Sequence, residues 1–357
     1  MNRLLSADLP GSRTLSGLVA ALLFALAFAP FLFSGARAVD TAAKICIFVV
    51  LAASYDLLLG YTGIVSFAHT MFFGIGSYGV AIAMSRFEPG WASLLLGTCA
   101  ALAVSLVLAV LIAVFSLRVR AIFFAMITLA VATAFGGLVS RLSDWTGGED
   151  GLTFSVPRWL SPAFSFGERR WFGVHPDGRL LAYYFVFAIA LVLFLVLLRV
   201  VNSPFGRVLQ AIRENAFRAE AIGYRTFVYR AVATVLSALF ATLAGALMAL
   251  WLGYNGPDTS LSLNVMINIL LMVVIGGMGT LYGAAVGAAL FVVTQTYLQD
   301  LMRFASHAVL AVPVLSRLFD PERWLLWLGL LFILCVYYFP QGIVGRLRET
   351  RRQPHGT

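Results

Sequence analysis

The chain has 357 residues, of which 61% are hydrophobic and only 11% are charged, and its formal net charge is +9. Soluble domains average about 25% charged residues, so this composition excludes an ordinary soluble domain. Apolar runs of about 20 residues predict helices that cross a bilayer, and the alternating pattern of a membrane β-barrel is absent. We therefore predict an all-α, polytopic membrane protein that forms a single domain over 1–357.

Ten apolar segments follow one another along the chain, and each is a candidate transmembrane helix. The first segment also fits a secretory signal peptide cleaved near Ala36-Arg37-Ala38, although its length favours a membrane span. Ten spans place both termini on the same side of the membrane. The segments are 15–33, 41–59, 64–85, 91–115, 121–139, 181–200, 230–253, 263–280, 281–301 and 324–340.

The arginines predict which side of the membrane each loop occupies. Lys44 is the only lysine, and the basic residues lie between the apolar segments, which is typical of membrane topology rather than of nucleic-acid binding. The positive-inside rule places the basic segment 199–230 and the C-terminal tail, 341–357, in the cytoplasm. We therefore expect both termini to be cytoplasmic and the loop 140–180 to be periplasmic.

The first glycine-interrupted segment is GYTGIVSFAHTMFFGIGSYG, at 60–79. Gly60 and Gly63 predict a break in a helix, and the ionisable residues Asp56 and His69 flank that break. An ionisable group inside a span is costly and usually faces protein or water. Each is therefore interpreted in two ways. Asp56 is a pathway residue or a hydrogen-bonding group near the end of its span, and His69 is a pathway residue or a bonded core residue.

A second glycine-interrupted segment, GGMGTLYGAAVG, lies at 276–287. Gly279, Gly283 and Gly287 recur at every fourth residue, which predicts one face of a helix that packs closely on another helix. Paired interruptions in the two halves of a transporter also indicate a pathway near the middle of the membrane. On that interpretation, Gly276 and Gly279 belong to the pathway together with the glycines of the first segment.

Two loops face outwards in this topology. The first, 140–180, contains the glycine cluster WTGGEDG, which predicts turns. It also contains Trp145, Trp159 and Trp171, which are typical of a membrane interface. The second outer loop is 302–323. Each loop is interpreted in two ways that the sequence supports equally: as a contact for an external solute-carrying protein, or as a plain connection between spans.

Residues 202–230, hereafter the polar segment, read NSPFGRVLQAIRENAFRAEAIGYRTFVYR between two apolar runs. The leading Ser-Pro pair fits an N-cap followed by proline at N1, which predicts a helix over 204–214. A second short helix over 216–222 ends at Gly223, a typical C′ residue. The mixture of arginines, acids and an asparagine favours docking of a cytoplasmic partner, and a helix lying on anionic lipid is the alternative.

The chain carries no motif of an enzyme or of a metal site. Cys46, Cys99 and Cys335 are each isolated, so we predict neither a disulfide nor metal binding. The single lysine does not stand in a Walker A motif. Asp56 is the only carboxylate in the interior of a predicted span, whereas secondary transporters usually use several. We therefore expect no catalytic residue and no cofactor in this chain.

The polar segment resembles the cytoplasmic coupling segment of LivM-like permeases of branched-chain amino acid ABC transporters. DLLLGYTGIVSFAH, FFGIGSYG, VIGGMGTLYGAAVGAALF and YFPQGIVG resemble other parts of that family, in its order, over about 40–345. Asp56 departs from the uncharged polar residue that is frequent there. The family's coupling pattern is present at Ser203, Pro204, Gly206, Arg207, Arg213, Glu214, Asn215, Arg218, Ala219, Glu220 and Gly223.

The resemblance implies a permease of the type II ABC importer kind in the bacterial inner membrane. It implies a second, LivH-like permease subunit, two cytoplasmic ATPase subunits that hold ATP and Mg, and a periplasmic substrate-binding protein as partners. The implied cargo is a branched-chain or other hydrophobic amino acid. A urea or short-amide importer is the first alternative, and a secondary transporter is a less favoured one.

Two groups of residues are expected to carry this function. The coupling group, which the resemblance implies, is Arg213, Glu214, Asn215, Arg218, Glu220 and Gly223. The pathway group, which follows from the glycine interruptions and the ionisable residues beside them, is Asp56, Gly60, Gly63, His69, Gly276 and Gly279.

Overall fold

A computed structural model describes residues 13–32, 35–116, 119, 121–164, 177–308, 323–339 and 342–349. These residues form helices joined by short turns, with one two-stranded sheet and a 3-10 turn at 158–160. In chain order the elements are α1 (Arg13–Ala27), α2 (Ala29–Leu32), α3 (Ala36–Thr62), α4 (His69–Arg86), α5 (Trp91–Ser116), α6 (Ala121–Arg141), α7 (Ser143–Thr146), β1 (Leu152–Thr153), α8 (Gly178–Val201), α9 (Pro204–Glu214), α10 (Ala216–Ala221), α11 (Thr226–Leu252), β2 (Tyr254–Asn255), α12 (Pro257–Ser260), α13 (Leu263–Gly276), α14 (Leu281–Ala308), α15 (Trp324–Tyr338) and α16 (Gly342–Glu349).

The prediction of an all-α polytopic protein is confirmed, whereas the predicted number of about ten spans stays a prediction. Among the described residues, seven helical segments are long and apolar enough to cross a membrane. They are Ala36–Thr62, Trp91–Phe115, Ile122–Arg141, Gly178–Val201, Thr226–Leu252, Pro257–Gly276 and Leu281–Phe304.

Three predicted segments fall outside this set because they form shorter or less apolar helices. The segments at 15–33 and 324–340 form α1 and α15, with 15 residues each. The segment at 64–85 forms α4, which begins only at His69 and has 18 residues. Most residues of α4 are buried in protein, so its glycines and hydroxyl groups meet other helices rather than lipid.

The centre of the bundle is formed by α3, α4 and α11. In α3, 83% of the most apolar 18-residue window is buried, against 22% in α6, which exposes apolar side chains as a lipid-facing helix does. The backbones of α4 and α11 touch, since a Cβ at Gly76 would overlap the carbonyl of Thr242 and a Cβ at Gly245 would overlap that of Phe73. Ser77 Oγ donates to Gly245 O at 2.8 Å across the same contact.

Helices α3 and α11 run in opposite directions, and they have the same length and the same kind of C-terminus. Each has 27 residues, and each ends at a glycine in the left-handed region, Gly63 with φ 72° and Gly253 with φ 63°. The irregular segment 63–68 separates α3 from the shorter helix α4, and β2 with the short helix α12 separates α11 from α13. The sequence LGYTG at 59–63 resembles LGYNG at 252–256. A hydrogen bond shows the antiparallel direction: Trp251 Nε1, at the end of α11, donates to Asp40 Oδ1, near the start of α3, at 2.8 Å.

The two ends of the bundle differ in content. At the end opposite the polar segment, β1 and β2 pair antiparallel with Leu152 opposite Asn255. The predicted turns around WTGGEDG are present, because three glycines there have positive φ. Trp145 lies under the guanidinium of Arg86, 4.7 Å from its ring centroid. Trp171 and most of the second predicted outer loop, together with the tail beyond 349, lie outside the described residues.

Candidate functional site

The polar segment forms two short helices that meet at Asn215. Helix α9 begins with proline at N1 as predicted, but Ser203 Oγ donates back to Val200 O at 2.6 Å instead of capping the helix. Asn215 Oδ1 accepts from the backbone N–H of Arg218 at 3.0 Å and so caps α10. Asn215 therefore caps α10, and α9 has no side-chain cap.

Gly223 ends the helix pair as the sequence predicts. Its φ is 95°, and its N–H donates to Glu220 O at 2.9 Å. The next N–H, of Tyr224, donates to Ala219 O at 3.0 Å, which completes a Schellman motif. Nothing lies within 4 Å of a Cβ built at Gly223, so the glycine is required by backbone conformation and not by space.

One face of this helix pair is buried and the other is open. Leu209 and Ile212 are buried against the bundle. Outward, Glu214 and Arg218 are exposed next to Phe217, of which 80% is exposed. The outward face therefore combines charges with a large apolar side chain, which is typical of a protein-docking surface.

Glu220, although exposed, is tied to the following helix. Its Oε1 accepts from Thr226 Oγ1 at 2.5 Å, at the start of α11. Thr226 was not predicted as part of the site, because it lies before the predicted span 230–253 and starts a helix only in the structure. The bond therefore links the end of α10 to the start of α11.

Arg213 brings the predicted coupling group and the predicted pathway group together. Its guanidinium donates from Nη1 to the carbonyl of Gly60, in the last turn of α3. Its Cγ would lie 3.4 Å from a Cβ at Gly63, and its Nη1 would lie 2.7 Å from a Cβ at Gly279. The side chain therefore passes between two glycines that come from distant parts of the chain.

Asp56 connects the same two parts of the chain from inside. It is fully buried in α3, and its Oδ1 accepts from the backbone N–H of Gly279 at 2.9 Å. Gly60 lies one turn further along α3, and a Cβ there would overlap both Asp56 Oδ1 and Gly279 N. Of the two interpretations of Asp56, the hydrogen-bonding one matches its geometry. Gly60 lies within α3, and the break itself starts at Gly63.

The prediction that Gly279, Gly283 and Gly287 share one helix face is wrong for Gly279. Gly279 has φ 83° and lies in the turn between α13 and α14, because α14 begins only at Leu281. Gly283 and Gly287 do lie in α14, where a Cβ would overlap the backbone of α13 at Gly276 and Met272 respectively. The close packing of two helices is therefore present, and Gly276 belongs to it.

His69 lies apart from the Arg213 contact, deeper in the bundle. Its Nε2 is 2.9 Å from Ser54 Oγ, and its ring centroid is 5.1 Å from that of Tyr55. Ser54 lies eight residues before the end of α3, which is roughly 12 Å along a helix. The non-helical segment 63–68 thus runs back into the bundle before α4 starts, and Ser54 and Tyr55, which the sequence analysis missed, line its inner end.

The C-terminal helix also reaches the glycine-rich turn. Gly342, with φ 75°, starts α16, and a Cβ there would overlap Gly277. Gly277 lies in the segment GGMGTLYGAAVG and Gly342 in YFPQGIVG, and no sequence signal links the two segments. The ends of α3, α9 and α13 and the start of α16 therefore lie together at the polar-segment end of the bundle.

Comparison with known proteins places this architecture in a family. The family model described as "Branched-chain amino acid transport system / permease component" matches residues 37–336. The chain is 28% identical to the high-affinity branched-chain amino acid transport system permease protein LivM of Salmonella typhimurium, over 85% of this chain and 73% of that protein.

Other relatives agree with this match. The LivM protein of Escherichia coli K12 is 27% identical over 95% of this chain and 77% of its own length. The high-affinity branched-chain amino acid transport system permease protein BraD of Pseudomonas aeruginosa is 24% identical over 84% of this chain and 92% of its own length. No solved structure matches the chain. Since the family model covers far more than half of the chain, the protein belongs to the family of permease components of branched-chain amino acid transport systems.

Proposed function

We propose that this chain is the membrane-spanning permease subunit of an ATP-driven importer for branched-chain amino acids in the bacterial inner membrane. The observation that carries the proposal is the polar segment, in which a helix pair presents charges and Phe217 outward while Arg213 and Glu220 tie it to the bundle. Such an arrangement suits a partner that drives the bundle from the cytoplasm. The match to the permease family supports the cargo.

The proposed complex contains this chain, a second LivH-like permease subunit, two cytoplasmic ATPase subunits and a periplasmic substrate-binding protein. ATP and Mg belong to the ATPase subunits. The outward face of α9 and α10, with Glu214, Phe217 and Arg218, docks on an ATPase subunit, and Asn215 and Gly223 hold the two helices in shape. The loop 140–180 faces the periplasm, where the binding protein docks.

The proposed topology has ten spans, with α1, α4 and α15 crossing the membrane together with the seven longer helices and both termini in the cytoplasm. Helix α4 has 18 residues, about 27 Å, and most of it is buried in protein, so it does not need the apolar surface of a lipid-facing helix. The solute pathway follows two segments that interrupt the long helices of the bundle: the irregular segment 63–68, and 253–262, which contains β2 and α12. Interrupted helices of this kind form the central sites of other transporters.

The energy required for coupling fits the size of this contact. Moving a two-state equilibrium from 1:99 to 99:1 takes about 5.5 kcal/mol. A hydrogen bond to a charged group contributes about 1.5–3 kcal/mol. Several such bonds between the outward face and an ATPase subunit are therefore enough to shift the bundle between two states.

Glu214→Arg is the test of this function. We expect the variant to insert in the membrane and fold. It should lose uptake of labelled leucine, because the reversed charge weakens docking of the ATPase subunit on the outward face. The control is Glu88→Arg, the same change at an exposed site in the turn before α5, at the opposite end of the bundle. Normal leucine uptake by Glu214→Arg in a complex that carries both ATPase subunits would sink the coupling proposal. If the wild-type importer takes up labelled urea but not leucine, the alternative cargo is favoured.

A further inference from the structure

Arg213 makes a contact that sets it apart from the outward face of the polar segment. It lies in the last turn of α9, next to the exposed Glu214, yet its guanidinium turns back to the carbonyl of Gly60. Gly60 is in the last turn of α3, where the final carbonyls of a helix have no partner within the helix. A cation there also suits the negative end of the helix dipole. Arg213 thus caps α3 from a different helix.

The same guanidinium touches a second element. Gly279 lies in the turn that joins α13 to α14, and a Cβ on it would lie 2.7 Å from Arg213 Nη1 and 3.0 Å from Gly60 O. The N–H of Gly279 is held by Asp56 Oδ1 at 2.9 Å. The turn, the end of α3 and the end of α9 therefore meet at one side chain, and a side chain at Gly279 would force them apart.

The other contacts of α9 with the bundle are of a different kind. Leu209 and Ile212 are buried apolar side chains, and apolar contact has no preferred direction. A hydrogen bond from a planar guanidinium to one carbonyl is directional. When α9 moves, the apolar contacts allow sliding, whereas the Arg213 bond either carries the end of α3 along or breaks.

We infer that Arg213 is a positioning residue that transmits the movement of α9 to the end of α3 and to the α13–α14 turn. The inference rests on the proposed function, because it assumes an ATPase that moves α9. It differs from a role in docking, since the guanidinium is bonded to the carbonyl of Gly60, although Arg213 is itself exposed beside the outward face. Arg213 thereby connects the driven element to Gly63, where the irregular segment 63–68 begins.

The experiment uses the full importer in proteoliposomes and compares Arg213→Ala, Arg213→Lys and Arg218→Ala. We expect Arg213→Ala to retain both ATPase subunits on purification while leucine taken up per ATP hydrolysed falls roughly tenfold or more, the loss of one charge-assisted bond. Lysine keeps the charge and part of the reach, so Arg213→Lys should recover part of that ratio. Arg218→Ala, on the outward face, should instead reduce the amount of ATPase subunit that co-purifies.

Three results would overturn the inference. Arg213→Ala that sheds ATPase subunits as Arg218→Ala does would make Arg213 a docking residue. An unchanged ratio of uptake to hydrolysis would show that the bond transmits nothing. A fall in the ratio that tracks a fall in thermal stability, with no recovery in Arg213→Lys, would make the role structural. A wild-type chain that binds no ATPase subunit would overturn the proposed function itself, which is recognisable before any variant is compared.

Discussion

At the scale of single residues, the junction beside Arg213 depends on the absence of side chains. Gly60, Gly63 and Gly279 lie around the Arg213 side chain, and the lack of Cβ atoms at Gly60 and Gly279 lets the backbones of α3 and the α13–α14 turn approach each other. Two of them, Gly63 and Gly279, also have positive φ. Gly60 is different, because it lies within a helix and only space requires it. It is therefore the position at which crowding is tested without backbone strain.

Gly60→Ala should destabilise the protein by about 1–3 kcal/mol, the usual range for overpacking a filled site. The added methyl would overlap Asp56 Oδ1 and the N–H of Gly279, so the bond between them has to lengthen. The measurement is the apparent melting temperature of the purified chain. Gly136→Ala is the matched control, since it lies within α6 with nothing within 4 Å of its new Cβ. We expect it to be neutral or slightly stabilising, and equal melting temperatures for the two variants would contradict this account of Gly60.

At the scale of elements, the polar segment was the most predictable part of the chain. Its proline start, its glycine stop and its two helices follow from local chemistry, and the structure differs by one residue at 222. The contact of Arg213 with Gly60 was not predictable, because 153 residues separate them and no local pattern pairs a surface arginine with a distant carbonyl. The position of Gly279 outside α14 was missed for a related reason: a four-residue glycine spacing fits a helix until tertiary contacts form a turn.

Asn215→Ala tests the element-scale assignment of the N-cap. Loss of the bond from Asn215 Oδ1 to the N–H of Arg218 should cost about 1 kcal/mol. Since a six-residue helix has little other support, we expect amide exchange over 216–221 to accelerate roughly fivefold, as a 1 kcal/mol change implies. Hydrogen-exchange mass spectrometry measures this directly. Asn215→Asp, which keeps a capping oxygen, should exchange as the wild type does, and identical exchange in all three proteins would place the cap elsewhere.

At the scale of the whole molecule, the bundle is organised as two halves of opposite direction. Each half has a 27-residue helix that ends at a left-handed glycine, followed by an interruption before the next long helix: 63–68 in the first half, and β2 with α12 in the second. One interruption starts at the polar-segment end and the other at the opposite end. The Arg213 junction lies at the start of only the first, 63–68. In the proposed transport cycle, a push on α9 therefore acts on the first half directly, which suits the opening of one end of the proposed pathway while the other stays closed.

Single cysteines at the two ends of the bundle test its orientation in the membrane. In a background without Cys46, Cys99 and Cys335, we compare Phe217→Cys on α10 with Trp159→Cys in the 3-10 turn before α8; their parent side chains are 80% and 53% exposed. A membrane-impermeant maleimide should label Trp159→Cys in intact spheroplasts and Phe217→Cys only in inverted vesicles. The physical reason is the arginine-rich surroundings of the polar segment, which favour the cytoplasmic side. The reverse labelling pattern would place that segment outside the cell, where no ATPase could reach it.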